Sequence, residues 1–223
     1  MGKLMGTVAS GDRAVTIVDF GLGNLRSLEH KLRVAGLHVQ VVSDPAAVAG
    51  ASHLILPGVG HFGPAMEQLT GSGLSDAILE AVRERSVPIL GICLGMQLLT
   101  EGSEESGTAG LDLIPGRTTH LKNIVADRLP IPHIGWAAVS WRAERLPSAS
   151  ASSALDCYFS HSYHVECAEE QVLATASYGV DFVSAVMHGR AAGVQFHPEK
   201  SHRSGIMRLV ELIDSQSPPE DPA

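Results

Sequence analysis

The sequence predicts an α/β protein: a mixed, mainly parallel sheet with helices on both faces. Three observations carry that expectation. Short apolar runs rich in β-branched residues lack the polar alternation of half-solvated strands, so they fit strands buried on both faces. Amphipathic runs with apolar residues at three- and four-residue steps separate them, as crossover helices do in a parallel sheet. In the second half, five strand-like runs follow one another with little helix between, which adds mixed or antiparallel strands to the same sheet.

In chain order, Ala14–Phe20 (AVTIVDF) reads as a buried strand, closed by the turn Gly21-Leu22-Gly23. A helix follows over Asn24–Ala35, where Leu25, Leu28, Leu32 and Ala35 share a face and Gly36 stops it. Leu37–Val42 and His53–Leu56 are the next strands, the latter ended by Pro57-Gly58. Ser75–Glu84 is helical, Val87–Ile92 is a continuous apolar strand, and Met96–Glu101 begins a helix directly after it. The five later runs are His133–Trp141, Tyr158–Tyr163, Val172–Ser177, Val183–Met187 and Ala192–His197. A last helix, His202–Asp214, places Ile206, Leu209, Val210 and Ile213 on one face. A single domain is expected over 14–214. Residues 1–13, rich in small side chains, and 215–223, proline-rich and acidic, read as flexible tails, and the Ser/Ala-rich stretch 146–155 as a surface loop.

The 223 residues include 24 acidic and 16 basic ones, for a net charge of −8. That balance argues against nucleic acid, whose phosphates need dense Lys and Arg, and leaves few cations for a large phosphorylated substrate. Three cysteines, Cys93, Cys157 and Cys167, make neither a disulfide framework nor a CxxC pair, so a reducing, cytoplasmic compartment is expected. The N-terminus is too weakly apolar for a signal-peptide core, and no apolar stretch approaches the ~20 residues of a membrane span. Gly21-Leu22-Gly23-Asn24-Leu25-Arg26 begins like a dinucleotide fingerprint, but Arg26 stands where the third glycine must let helix and strand pack closely, so no cofactor is expected. Eleven histidines raise the question of a metal, yet neither His161 with His164 nor His197 with Glu199 and His202 has a recognised ligand spacing, and none is expected.

The strongest local signal is Leu90-Gly91-Ile92-Cys93-Leu94-Gly95-Met96-Gln97. A buried strand runs into a helix with Cys93 at the apex and glycine two residues to either side, the logic of a nucleophile elbow. The helix N-terminus favours thiolate, and the Leu94 N–H can donate to an oxyanion. The bland alternative is a packing cysteine in a glycine-punctuated turn. In Gly193-Val194-Gln195-Phe196-His197-Pro198-Glu199-Lys200, a strand end is expected to place His197 and Glu199 on one side, stiffened by Pro198. A carboxylate there sets the imidazole tautomer and stabilises its protonated form; alone, the pair could equally be a solvated strand end. Pro57-Gly58-Val59-Gly60 ends another strand, and its glycines allow backbone N–H groups to approach a ligand closely, or simply make a turn.

These segments together resemble the class I glutamine amidotransferases, and more narrowly the glutaminase subunits of imidazole glycerol phosphate synthase, a histidine-biosynthesis enzyme. The likeness is carried by Asp19–Ser27 (DFGLGNLRS), Pro57–Gly63 (PGVGHFG), Gly91–Gln97 (GICLGMQ), Pro132–Trp136 (PHIGW), Tyr158–Tyr163 (YFSHSY) and Gly193–Ser201 (GVQFHPEKS); the His-Pro-Glu and Gly-x-Cys-x-Gly motifs are class-wide, and the first segment and Pro-His-Ile-Gly-Trp point to the narrower family. The resemblance implies the flavodoxin-like fold of that class and a Cys93-His197-Glu199 triad. It implies oxyanion stabilisation by Leu94 and by Gly58, Val59 and Gly60, and glutamine binding by Gln97 with His161, Ser162 and Tyr163. It further implies a separate (β/α)8-barrel cyclase as heterodimer partner, fed with ammonia through an internal channel and making imidazole glycerol phosphate and AICAR, with Asn24 and Trp136 at the interface. Two departures stand out: Ala137 where Asn is usual after Gly-Trp, and His202 where Gly is frequent after the Pro-Glu-Lys-Ser run. Two other readings stay open at this point, an amidotransferase subunit for another synthase, such as anthranilate or aminodeoxychorismate formation, and a catalytically silent assembly subunit.

Overall fold

The computed structural model describes residues 13–125, 129–142, 145 and 155–216. Its centre is an 11-stranded mixed sheet. The N-terminal part is parallel: β1 (Ala14–Val18) lies between β2 (His38–Val42) and β3 (Leu54–Gly58), β3 pairs with β4 (Ile89–Cys93), and β4 with the late strand β11 (Ala191–Val194). Helices α1 (Leu25–Val34), α2 (Pro45–Val48), α3 (Phe62–Gly71), α4 (Leu74–Leu79) and α5 (Leu94–Leu98) connect these strands. Beyond β11 the sheet turns antiparallel through β10 (Asp181–His188), β9 (Val172–Ser177), β6 (His133–Trp141) and β7 (Leu155–His161). The short strands β5 (Arg117–His120) and β8 (Tyr163–Glu166) pair with each other, and β8 also touches β10.

Every residue of β3 and β4 is buried, because side chains alternate between two covered faces. Ile55, Leu90 and Ile92 pack with Leu28 and Leu32 of α1 and with Ile206, Leu209 and Val210 of the last helix, α6 (His202–Gln216). Leu54, Leu56 and Ile89 face the opposite way, onto Phe62, Ala65, Met66 and Leu69 of α3 and Leu74 and Ile78 of α4. The expected two-sided burial is therefore met residue by residue along the central strands.

Several local expectations need correction. The helix α3 was not anticipated: Gly63 and Pro64 obscure it, although a proline in the first turn leaves no intrahelical donor unmet. The helix expected over Ser75–Glu84 divides into α4 and a π turn at Glu80–Glu84. The run Tyr158–Tyr163 belongs to two strands, β7 and β8, interrupted at Ser162. At the C-terminus Ser215 and Gln216 are not tail but helix. Gln216 Nε2 donates to the carbonyls of Ile89 and Arg190, at 3.3 and 3.0 Å, and so ties α6 to the end of the sheet. The remaining tail residues, 1–12 and 217–223, and 146–154 of the Ser/Ala stretch lie outside the described residues, while Leu155 opens β7.

Candidate active site

The carboxyl ends of β3 and β4 lie side by side, with Gly58 opposite Cys93 in the strand register. Cys93 has φ 54° and ψ −109°, a backbone conformation that non-glycine residues adopt at strain. The neighbouring glycines explain how the chain can turn there. A Cβ on Gly95 would sit 1.7 Å from the Leu56 carbonyl oxygen, and one on Gly91 would sit 2.6 Å from the Gly95 carbonyl. Only bare backbone lets β3, β4 and α5 approach this closely, and the approach lifts the thiol to the sheet edge.

His197 and Glu199 meet by a different geometry from the expected strand alternation. Strand β11 stops at Val194, and Pro198–Lys200 form a 3-10 turn with proline in its first position. That turn folds Glu199 back so that His197 Nδ1 and Glu199 Oε1 stand 3.0 Å apart. The segment is pinned from both sides. His197 N donates to the Tyr158 carbonyl at 2.9 Å, Ser201 Oγ donates to the His197 carbonyl at 2.6 Å and accepts from Tyr158 N at 2.9 Å, and Lys31 Nζ donates to the Glu199 carbonyl.

The imidazole of His197 lies within the electrostatic reach of the Cys93 sulfur, with which it lines the same cavity. Burial opposes its positive charge, but the Cys93 sulfur and the Glu199 carboxylate outweigh burial and raise its pKa to about 10. Burial likewise works against the Glu199 carboxylate, and the adjacent His197 reverses that and holds its pKa below the usual value. The arrangement is a row of cysteine sulfur, imidazolium and carboxylate, all three side chains buried.

Gln195, fully buried, completes the thiol's surroundings and was not singled out from sequence. Its Nε2 lies 3.7 Å from Cys93 Sγ, and its Oε1 accepts from Gln97 Nε2 at 3.1 Å. Gln97 Nε2 spends its second hydrogen on the Tyr163 carbonyl at 3.0 Å, so its Oε1 remains as an acceptor. In front of these groups opens a cavity of about 460 Å³, within the range of small-molecule sites. Cys93, His197, Leu94, Val59, Gly60, Gln97, His161, Ser162 and Tyr163 all line it. Glu199, Gly58 and the exposed Asn24 do not line it but border a smaller neighbouring cavity, and Trp136 lies on the surface.

Glu105, which lines the cavity, is a second residue that sequence reasoning missed. Its Oε2 accepts from Phe62 N at the start of α3, at 2.9 Å, and its Oε1 lies 2.6 Å from His61 Nδ1. No local pattern marks it, since its partners lie more than forty residues away. Among the lining residues it is the one carboxylate, and Lys200 the one lysine or arginine.

The wall carrying Ser160–Tyr163 is held by paired histidines. His161 Nδ1 donates to the Tyr163 carbonyl at 2.8 Å, leaving Nε2 to accept from His133 Nδ1 at 3.2 Å. Burial drives the His161 pKa down to about 3, so both rings are neutral hydrogen-bonding parts of the wall. Asn24 sits at the start of α1 without capping it, and borders a small cavity shared with His197 and Glu199. Trp136 is 47% exposed and stacks on His202, with centroids 4.6 Å apart and planes 18° apart. Of the two departures noted above, Ala137 therefore lies in the β6–β7 ladder opposite Cys157, and His202 has become the platform for Trp136.

Among the described residues no group of three His, Cys, Asp or Glu side chains is placed to hold a metal ion, and no helix is long and apolar enough to cross a membrane. Burial raises the thiols of Cys157 and Cys167 to about 12 and about 11, so they are inert packing groups.

A family model described as glutamine amidotransferase class-I matches residues 16–213. A protein of Moorella thermoacetica named imidazole glycerol phosphate synthase subunit HisH is 44% identical over 196 residues, covering 87% of this chain and 91% of that one. A protein of Arabidopsis thaliana named imidazole glycerol phosphate synthase hisHF, chloroplastic, is 37% identical over 220 residues, 94% of this chain but 36% of its own length. A solved glutamine amidotransferase superimposes with a TM-score of 0.70 at 19% identity, covering 89% of this chain and 96% of that one, which supports the fold.

Proposed function

The chain belongs to the class I glutamine amidotransferase family, and from that premise we propose that it is the glutaminase half of imidazole glycerol phosphate synthase. The observation that carries the reading is the Cys93–His197–Glu199 row at the wall of a 460 Å³ cleft. The names of the relatives favour this synthase over anthranilate or aminodeoxychorismate formation.

In the proposed cycle the Cys93 thiolate attacks the side-chain carbonyl carbon of glutamine. The negative oxygen that forms points at the Leu94 N–H, which the first turn of α5 leaves without a helical acceptor, and at the Gly58–Gly60 backbone. Protonated His197 gives its Nε2 proton to the departing nitrogen, and ammonia leaves a γ-glutamyl thioester. Neutral His197 then takes a proton from water, which attacks the thioester, and the proton returns as Cys93 is released with glutamate. Gln97 Oε1 and the Glu105 carboxylate would hold the substrate's α-ammonium, with the His161–Tyr163 wall completing its seat.

A single lysine lining the cavity suits glutamine and is poor provision for a phosphorylated acceptor. We assign the acceptor to a barrel-shaped cyclase partner that receives ammonia directly. Support comes from the longer Arabidopsis relative, of which this chain accounts for 36%, and from exposed Val59, Ile134 and Trp136, apolar side chains suited to being covered. The heterodimer, a channel between the two sites, a single domain over 14–214 and a cytoplasmic compartment belong to the same proposal. The test is glutamine hydrolysis by the full chain with the cyclase and its acceptor present. Turnover lost in Cys93→Ala supports the reading, and unchanged turnover overturns it.

A further inference from the structure

We propose that Asn24 is a positioning residue for Glu199, acting through one water molecule held between them in a small cavity behind His197. The inference extends the glutaminase reading and rests on it only for its catalytic meaning. Its starting point is an imbalance in the triad. Glu199 is 6% exposed and spends Oε1 on His197, while Oε2, equally buried, has no hydrogen-bond partner among the described residues. An ionised carboxylate accepts at both oxygens, and leaving one unmet in the interior carries a penalty larger than for a neutral group.

The surroundings offer a way to meet the demand. A cavity of about 10 Å³ is bordered on its inner side by Glu199, His197, Gly58, Leu28, Pro57 and Ile92, and on its outer side by the exposed Gly23, Asn24 and Val59. That volume admits about one water, and a buried water needs two to four polar partners. Leu28 and Ile92 offer none. Besides Glu199 and His197, the one side chain on the wall able to hydrogen-bond is the Asn24 amide, helped by the backbone near Gly58. Asn24 is also uncommitted to its usual local task, because it precedes α1 without accepting from the helix's first amides. A water donating one hydrogen to Glu199 Oε2 and bonding the Asn24 amide satisfies the carboxylate and fixes its plane. A donor at Oε2 favours the ionised form, which in turn sustains the imidazolium and the thiolate. His197 borders both cavities, so it stands between glutamine on one face and this water on the other.

Two measurements on the full chain without its partner decide the matter. A crystal structure fine enough to show ordered solvent should place one water within hydrogen-bond distance of both Glu199 Oε2 and the Asn24 amide, and absence of density there overturns the inference. The second is the pH profile of Cys93 alkylation by iodoacetamide, followed by mass spectrometry of the Cys93 peptide. Asn24→Ala should move the acid limb up by about one pH unit, and should move it no further in a Glu199→Gln background, because the water then has no charge to serve. No shift, or equal shifts in both backgrounds, overturns the inference, since an Asn24 that only touches the partner would leave the isolated chain unchanged. Neither readout uses glutamine. A water and a shifted limb with no glutamine hydrolysis in the assembled enzyme would sink the glutaminase reading and leave this one standing.

Discussion

Replacing Gly95 by alanine tests whether the elbow is a contact-determined device. The added Cβ would lie 1.7 Å from the Leu56 carbonyl oxygen and 2.8 Å from its carbon, both backbone atoms that no rotamer change can move. Ordinary carbon–oxygen contact is about 3.3 Å, so β3 and α5 must separate by roughly 1.5 Å. Overpacking of this kind costs about 1–3 kcal/mol and occasionally more. The catalytic cost should be larger, because Leu56 leads into Pro57-Gly58, and the separation carries the proposed oxyanion strand away from Cys93 across the pair Gly58–Cys93. A displacement near 1 Å costs about a hundredfold in rate. The assay is urea unfolding of the isolated chain beside glutamine hydrolysis by the assembled enzyme, with Gly71→Ala as control, since a Cβ there meets nothing within 4 Å. A Gly95→Ala enzyme with near-normal stability and more than a tenth of normal turnover would refute the argument that the glycine exists to permit this approach.

Three further outcomes follow from the same geometry. Gln195→Leu removes the donor near Cys93 Sγ and the acceptor for Gln97 Nε2, so it should cost about 1–2 kcal/mol in urea unfolding and raise the glutamine KM as Gln97 loses its anchor; unchanged KM would count against that seat. His161 has a folded pKa of about 3 against 6.5 unfolded, so its stabilising contribution is complete above pH 6.5 and is lost as pH falls toward 3. His161 alone should contribute a deficit of about 2–3 kcal/mol at pH 4.5 relative to pH 7.5, so His161→Asn should change the difference in unfolding free energy between the two pH values by about that amount. Trp136→Ala should leave the isolated chain's unfolding midpoint nearly unchanged but weaken cyclase binding by about 30-fold in calorimetry, as expected for an aromatic anchor.

What the sequence made legible is what short-range contact determines. The spacing Gly91–Cys93–Gly95 encodes the elbow because the clashing atoms at Gly91 lie four or five residues away, and the unbroken apolar runs of β3 and β4 encode burial because both faces are covered. His197 and Glu199 were legible as a pair but not in their geometry, since strand pairing ends at Val194 and a 3-10 turn brings them together. Glu105 and Gln195 were not legible. The first is joined to His61 and Phe62 by tertiary contact alone, and the second is a glutamine in an apolar run, whose partners Gln97 and Cys93 lie about a hundred positions away. Helix α3 escaped notice because Gly63 and Pro64 suppress its propensity while burial of Phe62, Met66 and Leu69 restores it.

A pKa of about 10 is ill-suited to a base at neutral pH, yet the proposed cycle needs His197 as base in its second half. The causes of the shift resolve this. Burial lowers the value, and the Cys93 sulfur's charge is the first of the influences that raise it. While Cys93 is a thiolate, His197 is held protonated, the state required to deliver a proton to departing nitrogen. Acylation converts the sulfur to a neutral thioester and cancels that influence, at the moment when the proton has gone to ammonia. Burial then acts against Glu199 alone, and the imidazole falls toward the range where it can take a proton from water. Glu199 sets the floor of that fall: without its carboxylate the desolvated ring would become too weak a base. The same buried position thus supplies an acid first and a base second, with the covalent state of Cys93 as the switch, and this is why the pair must be shielded from bulk water.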